Sequence, residues 1–331
     1  MPMREIRPNE IIINAKGETR RVSAQERTLY QDKKTPIVDE KRILRHLQEA
    51  QALKREMDVG QREATVEIAD NGGLPAIIWL VCDTHLGSKV VDYDAFINHY
   101  ELVLNTPGAY AISNGDEIDS FMVHLGGAAT GVYETPITPE QQARMVRKMW
   151  KELDDNGKLL AMSYGNHNDW INRSGYSFEN TWLADFKCPI LNCGGLLHIK
   201  FGDQVYDMAI SHQHWGASKL NPTNMSKRFM EHEYPDADIF FLAHVHQKEC
   251  LQFERGGKRR TAVVGGTYKI FDEWSMKRGM GNWGQLGGAT LALYPDKKEV
   301  IPFYYVEEAM DFLVIKKNIQ EIEQANKKEG Y

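Results

Sequence analysis

Five short segments of the chain place aspartate, asparagine or histidine side chains directly after an apolar run. They are Asp83 and His85 in "DTHLG", Asp116 and Asp119 in "NGDEID", Asn166 and His167 in "GNHND", His212 in "SHQHW", and His244 and His246 in "AHVH". Carboxylates, imidazoles and an amide oxygen suit Mn²⁺, Fe²⁺ or Zn²⁺, whereas Ca²⁺ prefers oxygen ligands and structural zinc prefers cysteines. The ligands outnumber what one ion needs, so the sequence predicts two divalent ions that share a carboxylate.

Each of these segments ends a predicted strand. The strands are "AIIWLVCD", "AYAISNGD", "KLLAMSYGN", "YDMAISHQH" and "DIFFLAHVH". In layered α/β folds the carboxyl ends of central strands converge on one crevice, so we expect five strand ends to build one site. On an extended backbone the two-residue period would also send His244 and His246 to the same face. Hairpins are predicted in "HIKFGDQVYD", "QFERGGKRRTAVV" and "LALYPDKKEVIPFYYV", where short turns separate β-rich flanks.

The chain divides into three parts by pattern. Residues 1–75 form an extension of mixed charge in which only 39–57 has helical apolar spacing, through Ile43, Leu44, Leu47 and Leu53. Residues 76–306 carry the predicted strands and form the main domain, and 307–331 form a closing helix and tail. The extension is compatible with self-association, with docking of a partner or with wrapping around the main domain.

Composition limits the class of protein. With 331 residues and 42% hydrophobic content the chain can bury a sizeable core. No apolar run approaches the roughly 20 residues of a membrane span, and the start has no signal-peptide core, which together indicate a cytoplasmic protein with no membrane partner. Four cysteines without a CxxC pair predict reduced thiols. A net charge of -6 gives no general attraction to nucleic acid.

The ordered set DxH, GDxxD, GNH, a single His and a final HxH resembles the calcineurin-like metallophosphoesterase superfamily over about residues 76–306. "DTHLG", and a GDxxD that lacks a following Arg-Gly, are more similar to the Mre11/SbcD nuclease branch than to protein Ser/Thr phosphatases. "NPTNMSKRF" also resembles phage-encoded members. The resemblance implies an α/β fold of four layers, α-β-β-α, with two mixed sheets flanked by helices.

The resemblance also implies roles for individual residues. One ion would be held by Asp83, His85, Asp116 and His246, and the other by Asp116, Asn166, His212 and His244, with Asp116 as the bridge. Mn²⁺ is the first expectation for both ions, ahead of Fe²⁺, Zn²⁺ or Ni²⁺.

Two further residues are assigned to catalysis beside the ligands. His167 would stabilise charge or protonate the leaving oxygen, and Asp119 would orient His167 or a ligand imidazole. The ions would lower the pKa of a bridging water, whose hydroxide attacks phosphorus in line without a covalent intermediate. Since the chain has no GxxxxGK[ST] motif, we expect hydrolysis rather than nucleotide-driven transfer.

Two loops are candidates for substrate binding. His124 lies in the Gly-containing loop 121–142, and Trp274, Lys277 and Arg278 lie in the loop 271–288. Interleaved aromatic and basic residues suit stacking on bases and contact with phosphates, but they equally suit a surface loop anchored by tryptophans. His99, His198 and His232 are expected to be structural, and His214 and Asp169 to lie in secondary or solvent positions.

Three functions remain open at this stage. The first is a phosphodiesterase acting on nucleic acid or a nucleotide, with duplex DNA disfavoured because the chain is acidic and has no capping domain after "AHVH". The second is a phosphomonoesterase acting on nucleotides or phosphoproteins with the same metal centre. The third is an inactive binding scaffold, which would be expected to lack a ligand, and none is missing here.

Overall fold

The computed structural model describes residues 11–13, 19–21, 40–57, 61–119, 135–168, 182–218, 220–270, 276 and 285–329. The chain forms two compact units, Met1–Met57 and Asp58–Tyr331. The first contains an antiparallel pair, β1 (Ile11–Ile13) with β2 (Thr19–Arg21), and helix α1 (Glu40–Met57). The helix predicted over 39–57 is confirmed, and Ile43, Leu44, Leu47 and Leu53 on it are exposed. The docking role considered for residues 1–75 stays a prediction.

The second unit holds the remaining elements. Its strands are β3 (Glu63–Ile68), β4 (Ala76–Val81), β5 (Ala109–Asn114), β6 (Leu159–Ser163), β7 (Gly194–Phe201), β8 (Gln204–Ser211), β9 (Ile239–Leu242), β10 (Glu249–Arg255), β11 (Lys258–Val264), β12 (Ala289–Leu293) and β13 (Val300–Phe303). Its helices are α2 (Tyr93–Asn105), α3 (Pro139–Asp155), α4 (Thr223–His232) and α5 (Val306–Glu329).

The strands form two mixed sheets. One has five strands in the order β13-β12-β4-β5-β6, with β4, β5 and β6 parallel and β12 antiparallel to β4. The other has six strands in the order β10-β11-β9-β8-β7-β3, with β11, β9 and β8 parallel to one another. The carboxyl ends of β4, β5, β6, β8 and β9, each of which is parallel to a neighbouring strand, carry the five polar segments.

Side-chain alternation explains how the layers stack. In the fully buried strand β4, Ile78 and Leu80 pack against the other sheet, whereas Ile77 and Trp79 pack against helices. Helices α2, α3 and α5 cover the five-stranded sheet, and α4 covers the outer face of the six-stranded sheet. The predicted four-layer α-β-β-α fold, with two mixed sheets flanked by helices, is therefore confirmed.

The boundaries drawn from the sequence are wrong at one point. Strand β3 (63–68) pairs in parallel with β7 and closes one edge of the six-stranded sheet, so the extension ends near residue 57 and not at 75. The alternation of Ala64, Val66 and Ile68 with charged or polar residues has the two-residue period of a half-buried strand, but the signal is short and lies next to a segment of mixed charge. The closing helix belongs to the same unit, since Val306 and Ala309 are buried against the five-stranded sheet and its helices.

The three predicted hairpins are confirmed. They are β7-β8, β10-β11 and β12-β13, with the last pairs before each turn at Phe201 with Gln204, Arg255 with Lys258, and Leu293 with Val300. In the β10-β11 hairpin, the two turn residues Gly256 and Gly257 both have positive φ, as is typical of a two-residue hairpin turn. The four cysteines are free thiols, as expected. Among the described residues, no helix is both long and apolar enough to cross a membrane.

His198 gives a pH-dependent test of the six-stranded sheet. Its imidazole lies between Asp207 (2.6 Å) on β8 and Glu63 (3.0 Å) on β3, and these two hydrogen bonds raise its pKa. Because the folded-state pKa exceeds the unfolded value of about 6.5, the stabilisation is full below that pH and is lost as pH rises through the folded pKa. We expect His198→Gln to lower the free energy of unfolding by about 0.5 kcal/mol more at pH 6 than at pH 9. Urea unfolding at both pH values checks this, and equal losses would contradict the ion-pair account.

Candidate metal centre

The polar strand ends meet at one buried point. Three overlapping groups bring ligand atoms within 4.8 Å of one another, namely Asp83 with His85 and His246, His85 with Asp116 and His167, and Asp116 with His212 and His244. His85 and Asp116 each belong to two of the groups. The three groups therefore form one continuous centre.

Asp83 lies at the middle of the imidazole ligands. Its Oδ1 is 3.3 Å from Nε2 of His246 and 3.9 Å from Nε2 of both His85 and His212. Oδ2 accepts a hydrogen bond from the backbone N–H of His244, at 2.9 Å. Oδ1 is buried and has no hydrogen-bond partner among the described residues. An unpaired buried carboxylate oxygen is costly, so its position among imidazoles favours a cation there.

Asp116 contacts the ligands of both proposed ions. Its Oδ2 is 3.1 Å from Nε2 of His212, and its Oδ1 accepts from the backbone N–H of His167 at 2.8 Å. Asn166 Oδ1 lies 2.9 Å from Nδ1 of His244, on the same side of the centre as His212. This is the position that a bridging carboxylate requires, although the assignment of individual ligands stays a prediction.

The orientation of His212 shows that the centre attracts positive charge. Its Nδ1 donates to the carbonyl of Asn114 at 2.7 Å, so in the neutral ring Nε2 would turn its lone pair toward the Asp116 carboxylate. Burial lowers the pKa of His212, but Asp116 and Asp83 outweigh it and raise the pKa to about 10. Burial also disfavours the charged form of Asp83 and so raises its pKa, but the His212 and His246 imidazoles outweigh burial and lower that pKa to about 2. These directions indicate that positive charge, from a proton or a metal ion, is favourable between these groups.

A second pair of rings leads to the same conclusion. Nε2 of His85 and Nε2 of His246 are 3.0 Å apart, and Nδ1 of His85 lies 3.2 Å from a carboxylate oxygen of Asp119. A carboxylate can only accept, so its proximity favours the tautomer of His85 with the proton on Nδ1 and the lone pair of Nε2 toward His246. Two nitrogens and an unpaired Asp83 oxygen facing one point match the donor set of a borderline divalent ion. The residues present therefore fit the implied metals.

The ligands are held by an uncommon backbone conformation. Asp83, His85, Asp116, His244 and His246 have φ between 47° and 73°, in the left-handed region, and Asn192 is the only other such non-glycine residue among those described. Each costs of order 1 kcal/mol or more, so the surroundings must impose it. They do so through hydrogen bonds from Asp83 N–H to the Gly115 carbonyl (3.1 Å) and from His85 N–H to the Asp116 carbonyl (3.0 Å).

This conformation corrects one step of the sequence argument. His244 and His246 were expected to share a face because of an extended backbone, but φ is 73° and 57° at these residues and strand β9 already ends at Leu242. Both imidazoles still point into the centre. The expectation was right about where the rings point and wrong about the cause, because strand periodicity does not apply to a turn.

Two glycines of the motifs permit the close approach of neighbouring loops. A Cβ on Gly115 would lie 2.3 Å from the backbone nitrogen of Gly165, and a Cβ on Gly165 would lie 2.0 Å from Oδ1 of Asp116. Asn168 stabilises this contact, because its Oδ1 accepts hydrogen bonds from the backbone N–H groups of Asp116 (3.2 Å) and Gly165 (3.0 Å). The glycines in "NGD" and "GNH" therefore bring the Asp116 and Asn166 segments together, and sequence reasoning had not assigned Asn168 this role.

Asp119 contacts both His167 and a predicted ligand imidazole, the two alternatives for the residue that it would orient. Its side chain faces His85, and its backbone carbonyl accepts a hydrogen bond from Nδ1 of His167. The other nitrogen of His167, Nε2, lies 3.9 Å from Asp116 Oδ2 and faces the centre. Burial lowers the pKa of His167 to about 4, partly opposed by Asp116. The geometry suits the positioning role proposed for Asp119, which stays a prediction.

Lys269 is a residue of the centre that sequence reasoning missed. It is 2% exposed, and its Nζ lies 3.0 Å from Oδ1 of Asp119, the oxygen that also faces His85. The other oxygen of Asp119 accepts from the Thr135 hydroxyl at 3.1 Å. A buried lysine charge is stable only when paired, so Lys269 and Asp119 support one another beneath the ligands. The only sequence signal was a lysine within the strongly apolar and small-residue stretch "VVGGTYKIF".

The predicted substrate-binding residues lie in segments that the structure does not describe. His124, Trp274, Lys277 and Arg278 lie outside the described residues, as does Asp169. His214 is turned away from the centre, with Nε2 3.0 Å from Glu233 and its ring 5.2 Å from that of Phe229. His99, expected to be structural, bonds the Tyr268 hydroxyl at 2.6 Å and Glu307 at 3.0 Å.

Comparison with known proteins gives matches only among solved structures. No protein-family model and no curated protein sequence matches the chain. Vps29 complexed with Zn²⁺ from Entamoeba histolytica is 11% identical, with 69% of this chain and 97% of that chain covered and a TM-score of 0.34. A predicted phosphoesterase from Streptococcus pneumoniae is 12% identical (70% and 98% covered, TM-score 0.31), and a protein serine/threonine phosphatase from Saccharomyces cerevisiae is 16% identical (80% and 89%, TM-score 0.37).

The four-layer fold that the sequence resemblance implied is present, and three overlapping His/Asp groups lie where the resemblance implied a metal centre. The closer links to the Mre11/SbcD branch and to phage-encoded members stay predictions.

Removing Lys269 tests the buried pair beneath the ligands. Lys269→Met leaves the Asp119 carboxylate buried without its cation, and we expect a loss of about 3–5 kcal/mol in the free energy of unfolding. The double variant Lys269→Met/Asp119→Asn removes both charges and should regain most of that loss. Urea unfolding of the two variants and the parent measures it. A single variant as stable as the parent would show that the pair is unimportant.

Proposed function

We propose that this protein is a binuclear metal-dependent phosphoesterase that hydrolyses phosphodiester bonds in nucleic acid or in a nucleotide. The observation that carries the proposal is Asp116, a buried carboxylate in contact with both ligand groups, next to an unpaired oxygen of Asp83. Two adjacent cation positions with a common carboxylate suit in-line displacement at phosphorus. Every predicted ligand is present, which disfavours the inactive scaffold.

The proximity of the side chains supports a division of the ligands between two positions. Asp83, His85 and His246, with Asp116, would hold one ion, and Asn166, His212 and His244, again with Asp116, would hold the other. Mn²⁺ is our first choice, since the ligand set mixes imidazole, carboxylate and amide oxygen. When bound, such ions supply an activated water and positive charge at the phosphoryl oxygens.

His167 is the proposed acid and charge stabiliser beside the ions. Its Nδ1–H bond to the Asp119 carbonyl can persist in both charge states of the ring, so Nε2 can gain or lose a proton while the imidazole stays in place. Nε2 is the atom that faces the centre. It is therefore placed to donate to the oxygen of the leaving group, and Asp119 fixes its direction.

A side-by-side assay tests the proposal. Metal-stripped protein is reloaded with Mn²⁺ and offered a chromogenic phosphodiester, the matching monoester, and labelled single- and double-stranded DNA. Metal-dependent hydrolysis of the diester or of single-stranded DNA is the expected result. Preference for the monoester would support the alternative, a phosphomonoesterase acting on nucleotides or phosphoproteins. No hydrolysis of any of the four would overturn the proposal.

The His167→Ala variant separates chemistry from metal binding. We expect metal content to be unchanged and turnover of the diester to fall by at least roughly 10²-fold, the lower end of a general acid's contribution. His214→Ala is the matched control, because His214 and His167 are equally buried, at 8% exposure, and His214 is turned away from the centre. Undiminished turnover in His167→Ala would refute the role of His167.

Asp116→Asn tests the shared ligand. Replacing the carboxylate weakens both cation positions at once, so the variant should lose metal from both, whereas Asn166→Ala should lose chiefly one ion. Elemental analysis after dialysis gives the stoichiometry. Two ions retained by Asp116→Asn would reject the bridging assignment.

A further inference from the structure

An exposed tryptophan follows directly from the candidate metal centre. Trp215 is the third residue after His212, so their Cα atoms can be at most about 11 Å apart. Its side chain is 55% exposed, an unusual state for the residue type with the largest apolar surface. The predicted ligand His212 itself is 3% exposed. Within four residues the chain thus passes from a buried predicted ligand to an exposed aromatic side chain.

The indole ring is held in place from the α4 side. The guanidinium of Arg228 lies 4.4 Å from the ring centroid, over one face, and the His232 ring is tilted against it with centroids 5.1 Å apart. Although these neighbours hold the ring, 55% of Trp215 remains exposed. An aromatic ring that is already held in place loses little conformational entropy when a second flat group stacks on its exposed surface.

Gly216 allows this arrangement. Its φ is +86°, and a Cβ there would lie 2.7 Å from Cδ of Arg228 and 3.0 Å from its Nε. Any other residue would strain the turn and push the arginine from the ring. The glycine, the tryptophan and the arginine therefore form one local unit, which we call the Trp215 platform.

We propose that the Trp215 platform binds the base of a nucleotide substrate whose phosphate lies at the metal centre. The inference rests on the proposed phosphoesterase function and specifies the substrate class. Aromatic side chains beside cationic groups are the usual means of stacking an unpaired base, and the guanidinium adds positive charge near the phosphates. The platform would serve a nucleotide or a single strand and would give no benefit to a substrate without a ring.

Two diesters with the same leaving group make the test specific. Thymidine 5′-(p-nitrophenyl) phosphate carries a base on its non-leaving arm, and methyl p-nitrophenyl phosphate carries only a methyl group. In the Mn²⁺-loaded protein we expect Trp215→Ala to raise KM for the thymidine diester by roughly 10-fold with kcat little changed, because uniform substrate binding is lost. The methyl diester should be unaffected.

Matched variants exclude general effects of surface truncation. Tyr305 is 54% exposed, almost as much as Trp215, and its replacement in Tyr305→Ala should change neither KM. Trp215→Phe keeps an aromatic face and should recover most of the affinity. Gly216→Ala should imitate Trp215→Ala in part, since it displaces Arg228 from the ring.

The outcomes separate this inference from the proposed function. Equal changes for both diesters, or no change for either, would overturn the platform while leaving phosphodiester hydrolysis intact. If the parent protein hydrolyses neither diester, the proposed function fails, and equilibrium dialysis with thymidine 5′-monophosphate against inorganic phosphate then tests the platform alone. A preference for the nucleotide that Trp215→Ala abolishes would support it, and absence of such a preference would overturn it.

Discussion

Two buried aspartates that face histidine nitrogens are the constraint on which the rest of the structure depends. Asp83 and Asp116 are removed from water, and their oxygens face imidazole nitrogens, among them Nε2 of His212, whose Nδ1 donates to the Asn114 carbonyl. Such a cluster is unfavourable unless a proton or metal ion supplies positive charge at its middle. The surrounding sheets have to hold these groups together against their mutual repulsion, and the same requirement makes the point suitable for divalent metals.

The two sheets meet this requirement through contacts between their strand ends. Asn114, at the end of β5, donates from Nδ2 to the carbonyls of Ser211 and Phe241 in the other sheet, at 3.1 Å each. It accepts from the Ser163 hydroxyl at 2.6 Å and, through its own carbonyl, from His212. Asn114 thus connects β6, β8 and β9 with the predicted ligand His212. Because the strand ends are fixed in this way, the left-handed conformations at the ligands are imposed by their surroundings.

Two groups of charged and aromatic side chains accompany the predicted ligands. Beneath the ligands, Lys269 neutralises Asp119, which in turn contacts His85 and His167. Three residues after His212, the Trp215 platform offers an exposed aromatic ring beside a guanidinium in a chain whose net charge is -6. The negative overall charge and the local positive features are compatible, because attraction of a phosphate depends on the few groups that face it.

The sequence by itself determined the strands that carry the candidate ligands, the polar ends of those strands, the three hairpins and the inventory of candidate ligands, because these follow from short-range patterns of apolar residues and turn residues. The tertiary structure alone decided what long-range contacts specify. It placed β3 in the six-stranded sheet, brought Lys269 under Asp119 and laid Arg228 over Trp215. It also bent the HxH segment into a turn. No local pattern encodes these features, since each joins residues distant in sequence or a backbone conformation imposed by its neighbours.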